Sequence, residues 1–332
     1  MINILSRRLS RAIASLSFLA LVILVIPPDA GATPFTINAT FQGFDAASMA
    51  VINNAISFYE NSITTPITDN IFFYNMGSGL GESLYIISTL PYSSVRDALA
   101  ANQTSADDAT ALASLGNGSV NPVNGNANIT LSSSNGRALG LNTPEDSFNF
   151  PGSPCPNFTG SGCIGLNASL ANSQSDLLAV TEHEIDEVLG LGSALHGTST
   201  PAVTRMEDLF RYASVGVRSY SANASTTVPC AAGTPVAYFS IDGGLTNLNG
   251  FNNCANGGDY GDWVTHSPSQ VQDAFTNFSG TPSLSLTSPE MRALDVIGYN
   301  LNANQAVPEP SSFVLLLSGI GGIAFFCCAR RK

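Results

Sequence analysis

Two apolar stretches, residues 16–26 and 313–329, bracket the chain and confine a water-soluble fold to the residues between them. Arg7, Arg8 and Arg11 precede the first stretch, and Ala30-Gly31-Ala32 follows it after two prolines. A charged start, a short apolar centre and a small-residue exit define a secretory signal, which predicts removal of residues 1–32 by signal peptidase. A run from Leu16 to Ile26 is too short to span a bilayer, so a permanent N-terminal anchor is excluded. The second stretch follows Val307-Pro308-Glu309-Pro310 and ends in Arg330-Arg331-Lys332. On hydropathy and charge alone, residues 313–329 within this tail (307–332) predict a transmembrane helix with its basic end held in the cytoplasm.

The Pro-Glu-Pro triplet, the apolar stretch and the basic end together resemble the PEP-CTERM sorting signal of Gram-negative bacteria. The resemblance implies an exosortase-type protease as partner. The tail would anchor the chain transiently in the membrane before release to the cell surface or extracellular matrix.

Residues 33–306 remain, a length suited to one large domain or two small ones, of which a single domain is expected. They carry 22 acidic residues against six arginines, a formal balance of −16. Such a field repels nucleic acid and anionic lipid and favours cations. A nucleic-acid partner is excluded on this ground. Cys155, Cys163, Cys230 and Cys254 lie in this part, in an oxidising compartment, and allow three pairings. Cys155–Cys163 and Cys230–Cys254 are favoured because each closes a short Gly-, Asn- or Pro-rich loop. The spacing does not suit a cysteine-based zinc site.

Apolar residues at helical spacing predict a helix over 46–60, and NIFFYNM (70–76) predicts a buried strand followed by a tight turn in GSGLGES. A helix is expected over 93–115, with strands at 129–134 and 162–167 and a disulfide-bearing loop between them. VAYFSIDGG predicts a strand entering a turn, and PEMRALDVIGYN a last helix. Helices alternating irregularly with short strands indicate an α+β fold, and no repeat suggests a solenoid.

The most periodic helix runs through LLAVTEHEIDEVLG, with capping-box spacing at Ser173 and Asp176 and a stop at Gly190 and Gly192. At 100° per residue, Leu177, Leu178, Thr181, Ile185, Val188 and Leu189 face the core. His183 and Glu187, four apart, share another face, and Glu184 lies between. Glu182 and Asp186 fall on the remaining side, where solvated carboxylates are expected. Four carboxylates within 182–187 are unusual for a surface helix with no arginine before Arg205. Like charges at this spacing cost a few tenths of a kcal/mol per pair, and the helix dipole disfavours an anion in the last turn by about 0.3–1 kcal/mol. A bound cation would remove both conflicts.

His183-Glu184-x-x-Glu187 has the geometry of the zincin H-E-x-x-H motif, with glutamate in the second ligand position. Imidazole and carboxylate both bind Zn²⁺. The added anion offsets metal charge and weakens activation of bound water.

EHEIDEVLG (182–190), EDLFRYASVGVRSY (207–220), YFSIDGGLTNL (238–248), GDYGDW (258–263) and ALDVIGYN (293–300) resemble, in that order, a family of exported bacterial metalloprotease-like proteins, many with PEP-CTERM tails. The resemblance implies a zincin-like, metzincin-related fold with His183 and Glu187 as metal ligands and Glu184 as general base. Metzincins place a further ligand ten residues after the first histidine, where this chain has Ser193, a poor ligand. Asp208, in a matching segment, is the expected third ligand. Asp259 and Asp262 suit either Ca²⁺ or Asx turns, and His196 and His266 are further candidates. Met291 suits either an apolar floor under a metal or ordinary packing.

Three functions fit these features. The first is a zinc-dependent peptidase acting on extracellular peptide or protein. The second is a catalytically inactive matrix relative. The third is a calcium- or polysaccharide-binding surface module, for which Trp263 as the only tryptophan offers little aromatic platform.

Overall fold

In the computed structural model, residues 34–169, 174–195, 202–220, 237–253, 257–275 and 284–302 are described. The expected leader, the sorting tail, Ser173, His196, Cys230 and Cys254 lie outside these residues. The described residues fall in one unit that begins at Pro34. None of their helices is long and apolar enough to cross a membrane.

Strand β1 (Thr36–Gln42), helix α1 (Ala46–Ser62) and strand β2 (Thr68–Asn75) form a parallel crossover, with Thr36 opposite Thr68. A parallel pair cannot be closed by a tight turn, so the helix is the connection. Asp45 starts α1 by accepting from the Ser48 backbone at 2.7 Å. Its buried face is Val51, Ile52, Ala55, Ile56 and Tyr59. Each large apolar side chain removed from water there contributes about 1.5–3 kcal/mol.

Strand β3 (Gly81–Tyr85) follows, then β4 (Ile87–Pro91), helices α2 (Tyr92–Ala101) and α3 (Ala106–Leu115), and β5 (Asn128–Ser132). The segment expected as a turn over GSGLGES therefore enters a strand at Gly81. The single helix expected over 93–115 is two. Ser105 restarts the chain as a capping box: its hydroxyl accepts from Asp108 N, and the Asp108 carboxylate accepts from Ser105 N. The strand expected over 129–134 ends at Ser132, whose hydroxyl accepts from Asn135 N and opens helix α4 (Ser133–Ala138).

Short strands β6 (Asp146–Ser147) and β7 (Thr159–Gly160) lead to β8 (Gly162–Leu166). Cys155 and Cys163 are joined, with Cα atoms 6.2 Å apart, as expected. The main sheet has the order β1-β2-β8-β3. β8 runs parallel to β2, and β3 runs antiparallel to β8 at the edge, with Gly81 opposite Leu166 and Tyr85 opposite Gly162. No further strand pairs with the outer side of β3 among the described residues.

Helix α5 (Gln174–Leu189) packs on β3 and β8 from one side and on α1 from another. Leu177, Thr181, Ile185, Val188 and Leu189 are buried as expected, whereas Leu178 is half-buried. A second small sheet pairs β9 (Arg211–Ser214), β10 (Val217–Arg218), β11 (Tyr238–Phe239) and β12 (Asn249–Gly250) in the order β10-β9-β11-β12. Helix α6 (Pro289–Ile297) closes the described fold. The result is mixed helix and strand, with small sheets around one core.

Glu182 and Asp186 are not on a solvated face. Both are buried, because α1 covers that side of α5. Tyr59 Oη donates to Asp186 Oδ1, and Glu182 accepts from the Leu284 backbone. A single helix's periodicity does not reveal a second helix lying over its polar stripe. Burial pushes the Glu182 carboxyl up to about 8, with the nearby Glu290 adding to the rise.

Candidate metal centre

Three side chains from two distant segments meet at the C-terminal half of α5. Each of His183, Glu187 and Asp262 offers a donor atom within 4.8 Å of the others. His183 and Glu187 are brought together by helical spacing, with Nε2 4.0 Å from Oε1. Asp262 comes from the loop before Trp263, and its Oδ1 lies 3.7 Å from the same Nε2. Donors sharing one ion at bonds of about 2.0–2.2 Å stand roughly 3.4 Å apart. The two His183 distances exceed that by about 0.3 and 0.6 Å, and the two carboxylates lie within 4.8 Å of each other, so binding an ion would draw all three donors inward.

Each donor is held in place. His183 Nδ1 lies 3.0 Å from the Val271 carbonyl, which can only accept; Nδ1 therefore carries a proton, and Nε2 is the nitrogen that faces the centre. Glu187 Oε2 accepts from Ser83 Oγ at 2.5 Å, leaving Oε1 toward His183. The Asp262 carboxylate accepts from the Asp259 backbone, while its Oδ1 is buried with no hydrogen-bond partner. Next to it, Trp263 is fully buried, packs at a tilt against Phe251 and donates Nε1 to Glu290 at 3.1 Å. At Gly261 the loop lies against the turn after α5, where an added Cβ would stand 2.6 Å from Ser193 N. Only glycine permits that approach, and the approach sets where Asp262 falls.

The donor set fits a divalent cation. A buried carboxylate oxygen without a partner is costly, and an ion between it and the imidazole lone pair would satisfy both. One imidazole and two carboxylates suit Zn²⁺ and related transition ions better than Ca²⁺, which takes oxygen ligands. Burial lowers the His183 pKa, but Glu184 and Glu187 outweigh it and shift it upward; a cation would compete for the same lone pair.

Glu184 lies beside the centre, lining a cavity of about 250 Å³ with His183, Asp262, Gly81, Val180 and Phe275. Burial pushes its carboxyl well above the usual range; His183 pulls it down, and Glu187 and Asp262 push it further up. Strand β3 passes so close that a Cβ on Gly81 would overlap the Glu184 carboxylate. A second cavity of about 510 Å³ opens on the other side of Glu187, with Ser83, Tyr85, Arg205, Asp259 and Tyr260 in its wall. One face of β3 therefore runs along the whole region: Gly81 meets Glu184, Ser83 meets Glu187, and Tyr85 meets Arg205.

Asp208 is not brought to the donors. It is buried in the short 3₁₀ turn Glu207–Phe210, where it accepts from Ser193 Oγ, Ala194 N and Arg205 N. Those bonds occupy both of its oxygens and tie two loops together. Ser193, at the metzincin third-ligand position, is spent on the same contact. Asp262 takes the place expected of Asp208. Its signal was the GDYGDW segment, where an acidic residue stands between a glycine and a buried tryptophan. His266 is held by Asp273 at 2.6 Å, and Asp259 lines the larger cavity rather than joining the donors. Met291 is fully buried in the core. The buried Trp263 removes the one tryptophan a sugar platform would need.

Comparison with known proteins bears on the end of the chain. Residues 306–332 match the family model described as the PEP-CTERM protein-sorting motif. Neither the curated proteins nor the solved structures gave a match, so membership of a metalloprotease family has no support from relatives. The motif marks an exported protein, held transiently at the membrane and processed by an exosortase-type enzyme.

Proposed function

We propose that this exported protein is a metal-dependent peptidase of zincin-like fold, with His183, Glu187 and Asp262 holding Zn²⁺ and Glu184 as general base. The observation that carries the reading is the buried, unpartnered Oδ1 of Asp262 facing His183 Nε2 at 3.7 Å. When bound there, a divalent cation makes water more acidic and polarises a carbonyl.

The protein's own groups supply the rest. Glu184 is buried against the smaller cavity with its proton affinity raised, which suits it to take a proton from water and pass it to the leaving amine. Strand β3 leaves one edge open beside the donors, and an extended peptide pairing with that edge would lie across them. Ser83 orients Glu187 and thereby the donor pair. Peptide hydrolysis balances simply: one water adds across the amide, the acyl carbon gains oxygen, and the amine leaves protonated.

Elemental analysis of the purified exported protein tests the reading. About one zinc per chain, with loss of peptide hydrolysis on chelation and return on zinc addition, is expected. A protein that takes up no transition ion at micromolar concentrations would sink it. A catalytically inactive matrix protein is the second reading. It is favoured by the two carboxylates in the donor set, which neutralise a divalent ion and weaken water activation. Zinc at full stoichiometry without hydrolysis of any peptide in a random library would establish that reading instead.

A further inference from the structure

The larger cavity contains a cation, Arg205, whose field reaches Glu187 but which no carboxylate contacts directly among the described residues. Arg96, Arg137 and Arg292 each pair with an aspartate. Arg205 makes no ion pair with a carboxylate among the described residues, although acidic residues outnumber arginines 22 to six between residues 33 and 306. Its guanidinium is nonetheless fixed. Nη1 donates to Tyr85 Oη, and the group lies 5.2 Å from the centroid of the Tyr85 ring. Nε and Nη2 have no hydrogen-bond partner among the described residues. A held guanidinium with an unused donor edge is prepared for a carboxylate, because little rotamer freedom remains to be lost.

Its position relates it to the donor centre. Tyr85 is two residues beyond Ser83 on the same face of β3, about 7 Å further along the strand. A peptide paired with β3 would therefore place a side chain, or its own end, in the Arg205 cavity one or two residues from the bond over Glu187. Thr130, Ser193 and Tyr260 add polar groups to the wall, and Asp259 on the same wall disfavours a long anion reaching across.

We propose that the Arg205 cavity recognises a carboxylate of the bound peptide close to the site of cleavage. The proposal rests on the peptidase reading for its ligand, and the test separates the two. Binding is measured on the zinc-loaded full protein with labelled peptides identical except for Glu or Gln at one position, each made as free acid and as C-terminal amide. Hydrolysis of the same set is followed in parallel.

A preference of roughly tenfold or more for the carboxylate-bearing peptide is expected, since hydrogen bonds to charged groups exceed neutral ones by that order. It should weaken as salt is raised, vanish in Arg205→Gln and return in part in Arg205→Lys. Preference tied to the Glu side chain assigns an internal acidic residue. Preference tied to the free acid assigns the chain end. Equal binding of all four peptides, or a preference that persists in a folded Arg205→Gln protein, overturns the proposal. Carboxylate-selective binding without any cleavage leaves the cavity assignment standing and removes the peptidase.

Discussion

The hydroxyl of Tyr59 donates to Oδ1 of Asp186 and also to the Glu182 carbonyl, both at 2.8 Å, fastening α1 to the back of the helix that carries the donors. Asp186 is fully buried and its Oδ2 has no partner, so Tyr59 supplies the hydrogen bond its side chain has. Burial pushes the carboxyl well above its usual range, and Glu290 adds to the shift.

Replacing Tyr59 by Phe should therefore cost about 1–3 kcal/mol, the desolvation of an orphaned polar group. Urea denaturation reads this directly. An unchanged midpoint would show that Asp186 finds another partner.

The two candidates for third ligand make opposite predictions. Asp262→Asn should lower zinc affinity by at least about tenfold while leaving the fold intact, because the carboxylate has no other fixed acceptor task than one backbone bond. Asp208→Asn should leave zinc stoichiometry unchanged but lower the melting temperature, since its two oxygens accept three bonds. Competition with a chromogenic chelator, alongside thermal melts, decides between them.

For Glu184→Gln, zinc content should match the wild type and peptide hydrolysis should fall by about 10²–10⁴-fold. Hydrolysis at the wild-type rate would remove Glu184 from the chemistry.

Asp295 gives a pH signature remote from the donors. Burial raises its carboxyl from 3.8 to about 7, despite a hydrogen bond from Ser105 Oγ. A raised carboxyl pKa means that the folded state binds the proton more tightly. Its favourable contribution is present at low pH and is lost as pH rises from 3.8 through about 7. Asn mimics the protonated form. Wild type and Asp295→Asn should melt together near pH 4, and the variant should melt higher at pH 8. Parallel curves across that range would contradict the assignment.

The sequence made the centre half legible. Helical spacing alone joins His183 to Glu187 and buries Ile185 and Val188, because both follow from one helix's own geometry. The bridge between Cys155 and Cys163 was equally local. What could not be read was contact across the chain. Asp208 lies in a matching segment, yet its carboxylate is used by the backbone and Ser193 around it; Asp262 reaches the pair because Gly261 lets its loop settle against Ser193. Glu182 and Asp186 had the periodicity of a wet face and lie beneath α1. Pairing of β3 with β8 likewise depends on a strand almost eighty residues away.

The grip that β3 offers is made of amides rather than side chains. Under the peptidase reading, substitution along residues 81–85 would alter which ligands are welcomed, yet short of introducing proline it would leave the amides of this open edge able to pair with an extended strand.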